Sequence, residues 1–181
     1  MSSLIDYLAQ KRDALFRLRD RAARPDAAPQ PLRAQVRAEG RSGIRRIRIR
    51  DFQLISDSPE SFAGYDLGPS SPELQLGVLG SCLTHTFLIQ AALLQIPLNR
   101  VEVQVDGQID PRSGQPGFEQ VPRNPHALRY TVALDSPAPE ADLARLHAAV
   151  QQNCPILHLL RDPQPIEGAL ARLPAAAQAA G

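Results

Sequence analysis

Tryptophan is absent from this 181-residue chain, and aromatic residues make up only 4% of it. A surface that binds single-stranded nucleic acid needs rings on which bases stack, and no such platform is present. Cysteine occurs only twice, as Cys82 and Cys154. A permanent structural disulfide is not expected without a secretion signal, and the 43% of hydrophobic residues can build a core without staples. The N-terminus lacks the basic-then-apolar pattern of such a signal, so the chain is expected in the cytoplasm. Long apolar runs are missing too. The most apolar region, Leu74 to Ile96, is interrupted by Gln75, Ser81, Thr84, His85, Thr86, Gln90 and Gln95. A membrane helix needs about 20 predominantly apolar residues, so this region reads as a helix buried inside a soluble protein. No internal repeat is visible.

The net charge of +1 conceals an asymmetry. Residues 1–50 hold 13 Lys/Arg and 5 Asp/Glu, a balance of +8; residues 51–181 hold 7 Arg and 14 Asp/Glu, a balance of −7. The two parts attract each other, which favours an N-terminal segment lying on its own body or on a partner subunit. Arg46, Arg48 and Arg50 alternate with Ile47 and Ile49 and could form a basic stripe on one sheet face, as nucleic-acid binders show. With so few aromatics, a solvated or inter-subunit face explains the stripe better, and nucleic acid is not expected as a partner.

The pattern along the chain predicts an α+β fold. Residues 1–24 are a helical appendage whose helix spans 2–22, capped by Ser2 or Ser3 and striped by Leu4, Leu8, Leu15, Leu18 and Ala22. Residues 25–31 are a Pro/Ala linker, residues 32–172 the domain, and residues 173–181 a frayed tail. Strands are expected over Leu32–Ala38 and Ile44–Ile55, joined by the turn Glu39-Gly40-Arg41-Ser42-Gly43, with a bulge near Asp51 repairing the alternation. Ser71-Pro72-Glu73 opens a long helix, Ser as cap and Glu at the positive end, and Pro97 ends it. Strands Val101–Val105 and Leu128–Leu134 follow. A second helix opens after Pro139, with Leu143, Leu146, Val150 and Cys154 on one side, and is broken or restarted at Pro155. A weak last strand is expected over 165–171. The order ββ-α-ββ-α-β implies a curved, mostly antiparallel sheet with two long helices.

Cys82 lies within GVLGSCLTHTFLI, among Gly77, Gly80 and Ser81, small residues that let a backbone or small substrate approach. Cys154 stands where one helix ends and another begins, and a helix N-terminus can stabilise a thiolate. Two buried thiols filling a core are the plain alternative. A metal site is another: Cys82 with His85, and Cys154 with His158, offer a Cys2His2 set at helical spacing. The apolar setting of these pairs, without the glycine turns of zinc ribbons, argues against metal, and no cofactor is expected. His126 and His147 read as loop and helix-surface residues.

The run Gly68-Pro69-Ser70-Ser71-Pro72-Glu73-Leu74, followed by Gly80-Ser81-Cys82, resembles the OsmC/Ohr organic hydroperoxide reductase family, in which Pro-Glu opens the central helix and a cysteine follows about ten residues later. Cys154-Pro155-Ile156 with Leu159-Leu160-Arg161 and Asp162-Pro163 resembles that family's second cysteine segment. The resemblance spans residues 32–172 and leaves the N-terminal helix as an addition. It implies an OsmC-like intertwined homodimer that reduces organic hydroperoxides, with Cys82 as the reactive sulfur, Cys154 as its redox partner and an external dithiol as reductant. It also implies a glutamate and an arginine beside the reactive cysteine, matched here by Glu73 and by Arg41. The residues after Cys154, Pro-Ile-Leu-His, and the histidines His85 and His158 depart from the family's usual pattern. A non-catalytic binding module on the same scaffold is the remaining alternative. Along a straight helix Glu73 and Cys82 lie ~13 Å apart on opposite faces, so a site using both would need two chains.

Overall fold

The computed structural model describes residues 3–162 and 164–172. Four α-helices and five strands follow in the order α1 (Leu4–Ala22), β1 (Gln35–Ala38), β2 (Arg45–Ile49), β3 (Phe52–Ser56), α2 (Ser71–Leu94), β4 (Arg100–Gln108), β5 (His126–Asp135), α3 (Glu140–Asn153) and α4 (Pro155–Arg161), with a single 3-10 turn at Glu60–Phe62. The strands form two antiparallel sheets, β1-β2-β3 and β4-β5, and with the helices they make the α+β, mostly antiparallel architecture that the pattern implied. The expected frayed tail, residues 173–181, lies outside the described residues.

The second predicted strand is in fact two. Ile49 pairs with Phe52 across a tight turn at Arg50 and Asp51, so β2 and β3 form a hairpin where a bulge was expected. Arg50 adopts a left-handed φ of 54° there, and its guanidinium covers the Phe52 ring. The registers Val36↔Ile47, Ile47↔Leu54 and Ile49↔Phe52 place these five apolar residues on one face. On the opposite face Arg46 makes a two-pronged ion pair with Glu39, Nε to Oε2 at 2.6 Å and Nη2 to Oε1 at 2.8 Å. The predicted strand over 165–171 is absent: that segment has no regular structure, and Ile166 and Leu170 are almost fully exposed. Two apolar residues four apart gave alternation too thin to hold a strand without a neighbour.

α2 is the axis of the molecule. Ser70, one residue earlier than expected, caps it in a reciprocal box with Glu73. Its C-terminus closes at Gln95, whose left-handed φ of 55° stops the helix before Pro97. α1, α3, α4 and β4 all pack on it. The core comprises Leu79, Leu83, Phe87, Ala91 and Ala92 of α2, Leu146 and Val150 of α3, Leu157 of α4, Ile96 and Leu98 after α2, and Leu8 of α1. α1 is capped by Ser3 in a second box with Asp6. α2 is also long and apolar enough to span a membrane by length and composition, with a mean hydropathy of 1.5, but four other elements pack on it.

The β1-β2-β3 sheet is tethered to α2 through the loop 57–69. Asp57 is fully buried, and its Oδ2 accepts from the N–H of Tyr65 at 3.0 Å and of Leu67 at 3.2 Å. Burial opposes ionisation of Asp57. The N–H groups of Ser58, Leu67 and Tyr65, with the charge of Arg45, outweigh it and lower the carboxyl's pKa. The loop folds so tightly that a Cβ on Gly64 would lie 1.8 Å from the Ser58 carbonyl oxygen, so only glycine fits. Because Leu83 is wholly buried at the meeting of α2 with its neighbours, Leu83→Ala should destabilise the protein by about 2–5 kcal/mol in urea unfolding; a change below ~1 kcal/mol would contradict this account of the core.

Candidate functional site

The two cysteines meet. Cys82 sits at mid-length of α2 on the side that faces α3 and α4, and Cys154 ends α3 and begins α4. Pro155 forces this break, because proline cannot donate the next helical hydrogen bond but suits the first turn of a new helix. The kink holds the Cys154 sulfur 3.5 Å from the Cys82 sulfur. A disulfide needs about 2.05 Å, so a short closing movement would join them. Both are free thiols in the structure, Cys82 partly exposed and Cys154 fully buried.

Burial pushes the Cys82 thiol's pKa up, and the adjacent Cys154 sulfur adds to this, since two thiolates side by side repel. The Ile156 N–H and the Thr86 side chain act the other way, the Thr86 hydroxyl donating to the Cys82 carbonyl at 2.8 Å. The helix-start N–H therefore serves Cys82, where the sequence suggested that the α4 terminus would serve Cys154. No cation acts on Cys82 among the described residues.

Glu73 and Arg41 are not brought to the cysteines. Glu73 Oε2 accepts from the Ser70 N–H at 2.7 Å and from its hydroxyl at 2.6 Å, so within one chain this carboxylate closes the helix start. Arg41 stands exposed in the β1–β2 turn and forms no hydrogen bond or ion pair among the described residues. Its neighbours are committed: Arg46 to Glu39, and Arg45 to the carbonyls of Gly43 and Asp57 and the hydroxyls of Ser56 and Ser58.

The alternative metal set does not assemble. His85 Nε2 meets Lys11 Nζ at 2.6 Å, and His158 Nε2 faces the Gln152 carbonyl at 3.0 Å. No three His, Cys, Asp or Glu side chains converge on one point among the described residues.

Sequence reasoning missed a polar cluster. His147 of α3 stacks flat on the Phe87 ring, with ring centres 6.1 Å apart, and its Nε2 lies 3.0 Å from the Tyr130 hydroxyl, which also accepts from Gln151 Nε2 at 3.2 Å. The three line a cleft of about 810 Å3 between β5 and the α3–α4 pair, walled further by apolar side chains such as Val132, Leu143 and Leu160 and by the charged Arg129, Glu140 and Arg161. The cleft reaches Leu79 and Leu157, each three residues from a cysteine. A signal was present: Leu143, His147, Val150 and Cys154 follow the i, i+4, i+7, i+11 spacing of one helix face, so His147 belongs to the inward side.

The OsmC-like protein family model matches residues 64–168, more than half of the chain, from the loop before α2 through both cysteines to just beyond α4. The chain belongs to this family. No curated protein matches the sequence. Among solved structures, an OsmC-like protein from Mycoplasma pneumoniae is similar with a TM-score of 0.63 at 17% identity, over 75% of this chain and 90% of its own. A putative osmotic stress induced and detoxification response protein from Psychrobacter arcticus 273-4 gives 0.58 at 14%, over 76% and 92%. A putative organic hydroperoxide resistance protein from Vibrio cholerae O1 biovar eltor, holding captopril in one of its active sites, gives 0.54 at 18%, over 77% and 90%. At these low identities the structural similarity shows the OsmC-like fold alone. The family match begins after α1 and the β1-β2-β3 sheet.

Mild oxidation tests the sulfur pair itself. Diamide should convert both thiols of each chain into one intramolecular disulfide, seen as the loss of two hydrogens in the intact mass. Cys154→Ser should show no such loss within the chain. Disulfide-linked chains in place of the internal bond would contradict the geometry.

Proposed function

We propose that this protein is a thiol peroxidase that reduces organic hydroperoxides. The observation that carries the reading is the Cys82–Cys154 sulfur contact of 3.5 Å, with one sulfur reachable and the other buried. The Cys82 thiolate attacks the terminal oxygen of ROOH; the O–O bond breaks, RO⁻ leaves and takes a proton as ROH, and Cys82 becomes a sulfenic acid. The Cys154 thiol then displaces hydroxide from that sulfur, giving a disulfide and, with the thiol's proton, water. An external dithiol restores both thiols by exchange and is itself oxidised. A cleft with mostly apolar walls beside the pair suits a greasy peroxide, and the organic hydroperoxide resistance protein from Vibrio cholerae shares the fold.

Partial burial resists ionisation, so Cys82 needs a positive partner to become a thiolate at neutral pH. A second copy of the chain supplies it in this reading, through Arg41 oriented by Glu73. Two features support the second copy. The apolar face formed by Val36, Ile47, Ile49, Phe52 and Leu54 is unpacked in the single chain, with Phe52 61% exposed. Arg41 is a cation free to reach outward from a turn on that sheet. A homodimer at micromolar concentration is the expected state by light scattering, and a fully active monomer would remove the partner from the account.

Cys82→Ser should abolish consumption of cumene hydroperoxide, and undiminished turnover would sink the assignment. Arg41→Ala should move alkylation of Cys82 to clearly higher pH and slow turnover at pH 7 by about a hundredfold or more, leaving the fold intact. Arg46→Ala, which removes a guanidinium already held by Glu39, should change neither. If the two variants exchange behaviour, strand β2 and not the turn supplies the cation.

A further inference from the structure

Lys11 and His85 form an unusual contact, because both side chains can carry a positive charge. Lys11 Nζ lies 2.6 Å from His85 Nε2. The ammonium can only donate, so His85 accepts and is neutral in this arrangement. The contact joins α1 to the helix that carries Cys82, one turn along from it. α1 lies outside the residues matched by the family model. It is thinly anchored: Leu8 is its one fully buried residue, set against Ala91, Ala92, Ile96 and Pro97, with Leu4 and Leu15 only partly covered. The chain between α1 and β1 has no helix or strand and contains Pro25, Pro29 and Pro31, so it can act as a hinge.

We propose that α1 is a detachable latch on α2, and that pH sets its grip through the Lys11–His85 contact. Protonating His85 removes the only acceptor in the contact and places two cations against each other, while the hinge lets α1 swing away. Partial burial and then the Lys11 charge hold the imidazole below its usual pKa when α1 is docked. A base whose pKa is lower when docked binds its proton more readily when released. Docking is therefore at full strength above the released value, about 6.5, and weakens as pH falls below it.

The groups on the surrounding elements do not compensate. On α1, the Tyr7 ring lies under Lys11 and the Arg12 guanidinium over Phe16. On β4, Arg100 pairs with Glu102, and Asp106 with Arg129 of β5. On α3, His147 is bonded to Tyr130 and Asp142 to Arg145; on α4, His158 faces Gln152 and Asp162, and Arg161 is exposed. On α2 itself, Cys82 precedes His85 by three residues. Lys11 is the one charge found to act on His85.

Hydrogen-exchange protection factors, measured on the full chain from pH 7.5 to 5, test the latch. Protection of α1 amides such as Ala9 and Leu15 should fall by up to about tenfold per pH unit below about 6.5, while Leu83 and Val150 keep theirs. His85→Gln retains an acceptor for Lys11 but cannot titrate, so its α1 should stay equally protected across the range. Constant protection of α1 in the wild type would overturn the proposal. So would an undiminished pH dependence in His85→Gln, or loss of core protection in step with α1.

Discussion

The meeting of two sulfurs at the joint between α3 and α4 is the constraint on which the rest of the structure depends. Cys154 can face Cys82 only because Pro155 breaks the helix at that residue and starts a new one. The joint is held by Val150 and Leu157, both packed with Leu79 and Leu83 in one core. The core therefore fixes a sulfur–sulfur distance as well as a fold. In the proposed reaction, oxidation at the partly exposed sulfur would be converted into a bond with the buried one, which limits further oxidation.

The same burial creates the site's electrostatic problem. A thiol among apolar groups resists ionisation, and the Ile156 N–H and the Thr86 side chain oppose that without removing it. Within one chain the glutamate and arginine that the motif supplies stand elsewhere, one closing a helix and the other in an exposed turn. The exposed apolar face of the β1-β2-β3 sheet belongs to the same pattern. Among the described residues, an uncovered sheet face, an arginine without a partner on that sheet and a cysteine lacking a cation are complementary deficits, and the proposed pairing of two chains would answer all three.

Much of this was legible in the residues. Ser-Pro-Glu announced α2, the Cys154-Pro155 step announced the α3–α4 break, and the resemblance carried by the two cysteine segments paired Cys82 with Cys154, whose sulfurs lie 3.5 Å apart. The hairpin at Arg50-Asp51 was not legible, because its turn lacks glycine, proline or asparagine and puts the left-handed residue at an arginine. Glu73 was read for chemistry when its local chemistry, a carboxylate three residues after Ser70, also spells a capping box. The Lys11–His85 contact spans 74 residues, and no periodicity records a meeting at that distance. The asymmetry of charge left open whether an N-terminal segment lies on its own body or on a partner subunit, and it named no residue that receives α1.

The central claim is that Cys82 and Cys154 act as one redox unit toward an organic hydroperoxide, and a thiol count tests it most directly. The reduced protein is titrated for free thiols before and after one equivalent of cumene hydroperoxide. The account predicts that both thiols of each chain disappear, one equivalent of cumyl alcohol forms, and a dithiol restores both thiols. Retention of both thiols with the hydroperoxide unconsumed would contradict it.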